Sequence, residues 1–259
     1  MPVLPTSYHI GPLFAVASII LLAGAILLQF LVILSGTTEG NPENQIYFLQ
    51  SSTNGIPGAR NPSRWTFFSI CGVDSNNHNT NCGDVVPALP FDPPNKHDFN
   101  TTIGIPSQFI GTKHYFLLSR FAFVFYLISV VFAAIALLTS VLALCTRLGS
   151  YFSGFNTAVA LFFQGIAAAL TTAWVVQGRN AFRSSGQTAG VGEKAMAFIW
   201  TAFACFFLAT ITFCVGGSAR HDSGYTARRR TGVFGRKRST RSRASFVSDR
   251  NGGIKDDYA

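Results

Sequence analysis

RWTFFSICGVDSNNHNTNCGDVVPALPFDPP, residues 64–94, is the most heavily punctuated stretch of this chain. It contains one tryptophan, two of the five cysteines, a polar run between them and a proline-rich end. Long apolar segments lie on both sides of it. This arrangement predicts a folded, disulfide-closed loop that separates two membrane-spanning helices.

The composition supports a membrane protein. Of 259 residues, 48% are hydrophobic and only 12% are charged, whereas soluble domains usually carry about 25% charged residues. The apolar residues come in blocks rather than in helical or strand alternation. The sequence therefore predicts an all-α membrane protein, a four-transmembrane-helix bundle with a large extracellular first loop that contains a small disulfide-closed β element.

The apolar blocks define the predicted organisation. The first, residues 11–34, would reach about 36 Å as a helix, which is long enough to cross a bilayer. The predicted segments are a cytoplasmic N-terminus (1–10), the first span (11–34), extracellular loop 1 (35–116), the second span (117–145), a cytoplasmic turn (146–154), the third span (155–177), extracellular loop 2 (178–194), the fourth span (195–216) and a disordered basic cytoplasmic tail (217–259).

The first apolar block has an alternative interpretation as a cleaved signal peptide. It lacks a positively charged beginning, and it is longer than the usual apolar region of about 7–15 residues. The small residues Ser35 and Gly36 leave a cleavage site open. We favour an uncleaved span.

The charge distribution predicts the orientation. Residues 35–116 contain four basic and six acidic residues, whereas residues 220–259 contain eleven basic and four acidic ones. Because loops rich in Lys and Arg stay in the cytoplasm, both termini are expected there. Arg179, Arg183 and Lys194 then lie outside, against the general bias.

Contacts between the spans are also predicted. Gln29 and Gln164 are the strongly polar side chains well inside spans, and each is expected to hydrogen-bond a neighbouring helix. Small residues recur every four positions in the third and fourth spans and form seams for close packing, either within the bundle or against another copy. The seam residues are Gly165, Ala169 and Ala173, and Ala197, Thr201, Cys205 and Ala209.

Cys71 and Cys82 are separated by ten residues, and in an oxidising environment such a pair most simply forms a disulfide. Closing a loop of this size stabilises the fold by about 2.5–3 kcal/mol in the entropy model. Metal binding with His78 and His97 is the alternative, but the spacing does not match a zinc signature. Residues 64–71 predict a strand with residues 85–89 as its partner. Trp65 is expected to cover the disulfide or to lie at the membrane interface.

These residues resemble a known family. A large first loop with a Trp and two Cys between four spans is similar to the claudin-like group, and within it to the fungal eisosome-associated tetraspan family, the SUR/PalI group. The resemblance covers roughly residues 11–216, although no Gly-Leu precedes Trp65 and its spacing to Cys71 differs from the general claudin motif. The loop motif that carries it consists of Trp65, Cys71, Gly72, Val73, Asp74, Cys82, Gly83, Pro90, Phe91, Asp92 and Pro93.

The resemblance implies a non-enzymatic protein of static, furrow-like plasma-membrane domains, linked to endocytosis and cell-wall integrity. The alternative, from the PalI branch, is an auxiliary or chaperone subunit of an ambient-pH receptor. No cofactor is expected. An enzyme finds little support, because Asp74, Asp84, Asp92, His78 and His97 have no spacing that marks a catalytic constellation.

Modification sites are predicted on both sides of the membrane. Asn100 begins the sequon Asn-Thr-Thr and is a glycosylation candidate. Cys145, at the cytoplasmic end of the second span, is a palmitoylation candidate, with an unmodified thiol as the alternative. Phosphorylation candidates in the tail are Thr231, Ser239, Ser242 and Ser245.

The tail carries eight basic residues within sixteen. Each is worth about 1 kcal/mol near an anionic leaflet, so we expect the tail to bind phosphatidylserine or phosphoinositides. Nucleic-acid binding is the less favoured interpretation of such a run, and a tail that only fixes topology is another. Other membrane proteins or further copies of the chain are the expected protein partners. The basic residues are Arg228, Arg229, Arg230, Arg236, Lys237, Arg238, Arg241 and Arg243.

Overall fold

The computed structural model describes residues 10–145 and 147–235, with side chains described for residues 15–141 and 149–215. Its four long helices are α1 (Ile10–Ile33), α2 (His114–Cys145), α3 (Arg147–Ser184) and α4 (Glu193–Gly235). Each contains a segment long and apolar enough to cross a membrane. The predicted four-helix architecture is confirmed.

Three helices extend beyond the predicted spans. Helix α2 begins at His114, α3 occupies residues 147–184, and the connection between α3 and α4 is correspondingly short. Helix α4 continues through residues 217–235, where the sequence predicts a disordered tail. Once a stable span has nucleated a helix, each further residue adds a hydrogen bond at little cost, which favours such extensions.

The outer surface of the bundle carries large apolar side chains. Leu138 is 75% exposed, Ile20 66% and Phe155 65%. Exposure of this kind is unfavourable in water, whereas lipid tails solvate it. Four apolar helices with such a surface make this a multi-pass membrane protein.

Only the end of the predicted seam on α4 faces the bundle. Ala197 and Thr201 are exposed, Cys205 is half-buried and Ala209 is buried. In α3, Ala169 is exposed, and Gly165 packs against Phe203 of α4. The face of α4 that is buried instead consists of Ala195, Ile199, Ala202, Phe206, Ala209 and Phe213. Four-residue spacing alone could not select this face, because Ala is frequent all around the helix.

Five short strands form one antiparallel sheet in the order β4–β3–β2–β1–β5. Four lie between α1 and α2, and the fifth lies between α3 and α4: β1 (Leu49–Ser51), β2 (Ser63–Trp65), β3 (Ile70–Val73), β4 (Asn79–Thr80) and β5 (Ala189–Val191). Leu49 pairs with Trp65 on one side and with Val191 on the other. The two connections therefore form a single unit on one side of the bundle, which we call the loop domain (residues 34–113 and 185–192).

The prediction of one strand over residues 64–71 is wrong. These residues form β2, a turn and the start of β3. The Thr66 hydroxyl accepts a hydrogen bond from the Ser69 N–H at 3.1 Å and donates to the Ser69 carbonyl at 2.7 Å. Such local side-chain bonds compete with strand continuation. Residues 85–89 run beside this turn, where Val86 and Leu89 donate backbone hydrogen bonds to Phe68 and Phe67, but they form no strand.

The loop domain is joined to the end of α1 at this turn. The Phe67 N–H donates to the Ser35 hydroxyl at 3.3 Å, and the Ser69 hydroxyl donates to the Gly36 carbonyl at 2.9 Å. Gly36 has φ +83°, and a Cβ there would lie 1.9 Å from Thr66 Oγ1. Glycine therefore permits the close approach of the two segments.

Candidate functional site in the loop domain

A disulfide joins Cys71 of β3 to Cys82, which follows β4, with a Cα–Cα distance of 3.9 Å. The predicted pairing is confirmed. Cys71 is fully buried, and the Cys82 N–H donates to Glu39 Oε1 at 2.7 Å. The disulfide therefore closes the β3–β4 hairpin. The hydrogen bond to Glu39 connects the end of this hairpin to the segment that follows α1.

Trp65 is a core residue, so neither predicted location describes its surroundings. Its ring is 1% exposed. Ring centroids of Phe91 and Phe182 lie 5.4 Å away, and that of Phe99 lies 5.7 Å away. Phe182 belongs to α3 and its ring is tilted by 34° relative to Trp65, whereas Phe91 and Phe99 meet Trp65 edge-on. Aromatic contacts add stability beyond their buried area. Trp65 thus joins the sheet to the helix bundle.

The Pro90–Pro93 part of the loop motif packs against the helices. Phe91 is 2% exposed, and its ring lies 4.9 Å from that of Trp174 in α3. Its N–H donates to the Ser119 hydroxyl of α2 at 2.9 Å. Pro90 and Pro93 are buried beside it. These contacts position the loop domain on the helices.

Asp92 and Asp98 form a carboxylate pair at the edge of this aromatic cluster. Asp98 Oδ2 accepts hydrogen bonds from the Asp92 N–H at 3.2 Å and from Trp65 Nε1 at 3.4 Å. Burial raises the pKa of Asp98 to about 8, although those two hydrogen bonds lower it, and the charge of Asp92 raises it further. Burial also raises the pKa of Asp92, which the Asn95 amide opposes.

Asp74 has a structural role in the β3–β4 turn. Its Oδ1 accepts backbone hydrogen bonds from Asn76 at 2.9 Å and His78 at 2.7 Å. Carboxylates commonly cap tight turns in this way. Gly72 and Gly83, the glycines of the motif, lie beside the Arg60 side chain.

Arg64 is a central residue that the sequence analysis did not single out. It is fully buried, yet it donates from Nε to Gln50 Oε1 at 2.8 Å and from Nη1 to Asn79 Oδ1 at 3.1 Å. It also bonds the Asn77 side chain and backbone carbonyl, and its guanidinium lies 4.0 Å from the Tyr47 ring centroid. Burial lowers the pKa of Arg64, while Tyr47 and Asp74 oppose this. Its position directly before the aromatic run of residues 65–68 was the available signal.

Within residues 10–145 and 147–235, no group of three or more His, Cys, Asp or Glu side chains is arranged to hold a metal ion. Cys71 and Cys82 are consumed by the disulfide. His78 lies in the β3–β4 turn and His97 in an exposed turn. The alternative of a metal site that uses these four residues is therefore not supported by the geometry.

The remaining predicted sites differ in what can be described. Asn100 is exposed, at a turn with φ +50°. Cys145 ends α2, and Arg228, Arg229, Arg230 and Thr231 lie on α4, but their side chains are outside the described residues. The residues wholly outside the described ranges are Arg236, Lys237, Arg238, Ser239, Arg241, Ser242, Arg243 and Ser245.

Comparison with known proteins gives consistent matches. The model of the SUR7/PalI family matches residues 14–212. Protein SUR7 of Candida albicans is 34% identical over 217 residues, which is 83% of this chain and 78% of that protein. Protein SUR7 of Saccharomyces cerevisiae is 33% identical over 196 residues, covering 75% of this chain and 63% of that protein.

A further relative is described as an uncharacterized plasma membrane protein of Saccharomyces cerevisiae. It is 28% identical over 187 residues, covering 70% of this chain and 60% of that protein. The matched region therefore spans less than two thirds of the length of both Saccharomyces relatives.

Proposed function

The chain belongs to the SUR7/PalI family, and on this premise we propose that it is a non-enzymatic plasma-membrane protein that organises static, eisosome-type membrane domains. In this role it supports cell-wall integrity and the control of endocytosis. The description of one relative as a plasma membrane protein supports the location.

The observation that carries the proposal is the continuity between the loop domain and the helix bundle. One aromatic cluster runs from Trp65 and Phe91 of the loop domain to Trp174 and Phe182 of α3. Asp98 supports this contact through its hydrogen bond from Trp65 Nε1, and Ser119 supports it through its bond from the Phe91 N–H. A single body with an apolar lateral surface is suited to packing within a membrane domain.

We propose that both termini are cytoplasmic and that the loop domain is outside the cell. The basic tail favours this orientation, and the pairing of β1 with β5 requires both connections to share one side. Glycosylation at the exposed Asn100 tests it. Glycosidase treatment should increase the gel mobility of the wild-type protein but not of Asn100→Gln. Labelling of loop-domain residues only after the cells are permeabilised would contradict this orientation.

The expected partners are anionic inner-leaflet lipids, reached by the tail, and other membrane proteins or further copies of the chain. Imaging of the tagged protein beside a marker of cortical furrows tests the main proposal. We expect immobile patches that coincide with the marker and recover slowly after photobleaching. Uniform, mobile cortical fluorescence would contradict a role in static domains.

An auxiliary subunit of an ambient-pH receptor is the second candidate. The contact between Asp98 and Trp65 favours it, because a carboxyl group with a pKa of about 8 lies in the part of the protein proposed to face the medium. A deletion strain should then fail to respond to alkaline pH while cortical furrows remain normal. Normal alkaline responses with dispersed furrow markers would favour the first candidate.

A further inference from the structure

A polar cleft of about 230 Å³ lies where the loop domain meets the start of α4. One wall comes from the segment before β1, the second from the β3–β4 turn, and the third from the junction of β5 with α4. Neither the family motif nor the disulfide contributes a side chain to its lining. The cleft is therefore distinct from the contacts that hold the loop domain on the bundle.

The walls of the cleft are held in place before any ligand binds. Arg64 supports two of them, since it bonds Asn77 and stacks on the ring of Tyr47. The third wall is joined to the first by a hydrogen bond from Lys194 Nζ to Gln45 Oε1. The β5–α4 junction also passes so close to Tyr47 that a Cβ on Gly192 would lie 1.7 Å from the Tyr47 carbonyl oxygen. A site held this firmly loses little entropy on binding.

Three polar side chains in the cleft have unused hydrogen-bonding groups. Asn76 and Glu193 are exposed and His78 is half-buried. Among the described residues, none of these side chains has a hydrogen-bond or salt-bridge partner, although the backbone N–H groups of Asn76 and His78 bond Asp74. Asn77, Gln45 and Lys194 are by contrast occupied in the walls. The cleft thus combines a fixed frame with free groups along one surface.

The chemistry of these groups selects the ligand class. Amide and imidazole side chains each offer a donor and an acceptor, as a hydroxyl group does. Glu193 and Lys194 have opposite charges, which offset each other in the lining. The volume is below the about 300–1,000 Å³ usual for drug-sized ligands. We propose that the cleft binds one unit of a neutral, polyhydroxylated saccharide.

Glycans outside the cell would supply such a saccharide if the loop domain has the orientation proposed above. Binding to the purified protein does not depend on that orientation. Full-length protein in lipid nanodiscs should be titrated with neutral tetrasaccharides of glucose, mannose and N-acetylglucosamine, and with a sulfated tetrasaccharide. Saturation-transfer NMR reports the binding. At least one neutral tetrasaccharide should bind, and it should bind more tightly than the sulfated one.

Asn76→Ala, His78→Ala and Glu193→Ala remove the free groups one at a time. Each should weaken binding by about two- to tenfold, the usual effect of one lost hydrogen bond. Asn54→Ala is the matched control, because Asn54 is an exposed turn residue of the same domain outside the cleft. An unchanged unfolding temperature and an intact Cys71–Cys82 bond show that each variant is folded.

Three outcomes would overturn the inference: no binding of any neutral tetrasaccharide by the wild-type protein, binding of the sulfated tetrasaccharide alone, or an equal loss of binding in Asn54→Ala. Because binding is measured on purified protein, none of these affects the furrow imaging. Mislocalisation from furrows, in turn, would leave a saccharide site intact.

Discussion

The side-chain amide of Gln29 in α1 donates a hydrogen bond of 2.8 Å to the side-chain oxygen of Gln164 in α3. Both residues are at most 1% exposed. Gln29 Nε2 also lies 3.3 Å from the Tyr126 carbonyl of α2, and Gln164 Nε2 donates to the Ile199 carbonyl of α4 at 3.2 Å. Two side chains thus connect all four helices at a depth where no water competes.

Substitution of either glutamine should destabilise the bundle without changing its topology. We expect Gln29→Leu and Gln164→Leu each to lower the free energy of unfolding by about 0.6–1.7 kcal/mol, the average and the maximum measured for hydrogen bonds between membrane helices. The double variant should lose less unfolding free energy than the two single variants lose together, since the two residues share one hydrogen bond. Equilibrium unfolding in nanodiscs measures the free energy of unfolding of the three variants. Leu27→Ala, on the lipid-facing side of α1, is the control. Strict additivity would show that the two amides act independently.

Loss of the disulfide should impair folding of the loop domain. Cys71→Ser and Cys82→Ser each remove a crosslink worth about 2.5–3 kcal/mol in the entropy model, and each leaves a thiol beside a buried hairpin. We expect retention in the secretory pathway or loss of surface patches, and no gel-mobility shift on reduction. Cys205→Ser, a half-buried position in α4, should have normal patches and a normal shift. Normal surface patches in both loop variants would contradict the prediction.

Gly36 tests the joint between α1 and the loop domain. Gly36→Ala places a Cβ 1.9 Å from Thr66 Oγ1, whereas Gly55 has nearly the same φ, +85°, with no atom within 4 Å of the same position. Both substitutions incur the cost of a left-handed backbone, about 1–2 kcal/mol. Only Gly36→Ala should also displace the Thr66–Ser69 turn and lower the unfolding temperature further. Equal unfolding temperatures for the two variants would show that the joint is looser than the contact implies.

Features encoded locally were predictable from the sequence, and those that depend on distant contacts were not. The four spans follow from uninterrupted apolar length, the Cys71–Cys82 bond from short spacing, and the Gln29 and Gln164 contacts from the cost of an unpaired amide in lipid. The location of Trp65 was missed, because its partners Phe91 and Phe182 are distant in sequence. Strand β5 and the polar cleft were missed for the same reason, since both require α3 and α4 to bring a second connection beside the first.

The contact between Asp98 and Trp65 predicts a pH-dependent loop domain. The pKa of Asp98 rises from about 4 in the unfolded chain to about 8 in the folded protein. The folded state therefore binds more protons between these values, and the free energy of unfolding should fall as pH rises from about 4 to about 8. Asp98→Asn should remove much of this dependence, while Asp84→Asn, at an exposed position, should retain it. A pH profile of thermal unfolding that is identical in wild type and Asp98→Asn would refute the assignment.

Phosphorylation of the tail should release it from the membrane. Residues 220–259 carry a net charge of +7, and each phosphate contributes about −1.5 to −2, so phosphates on Thr231, Ser239, Ser242 and Ser245 would neutralise most of it. A synthetic tail of residues 217–259 should bind vesicles that contain phosphoinositides, and added salt should weaken binding by screening. The fourfold phosphorylated peptide should bind much less, and neutral vesicles should bind neither form. The predicted release depends only on charge. Equal binding of the phosphorylated and unmodified peptides to the phosphoinositide vesicles would therefore contradict an electrostatic switch.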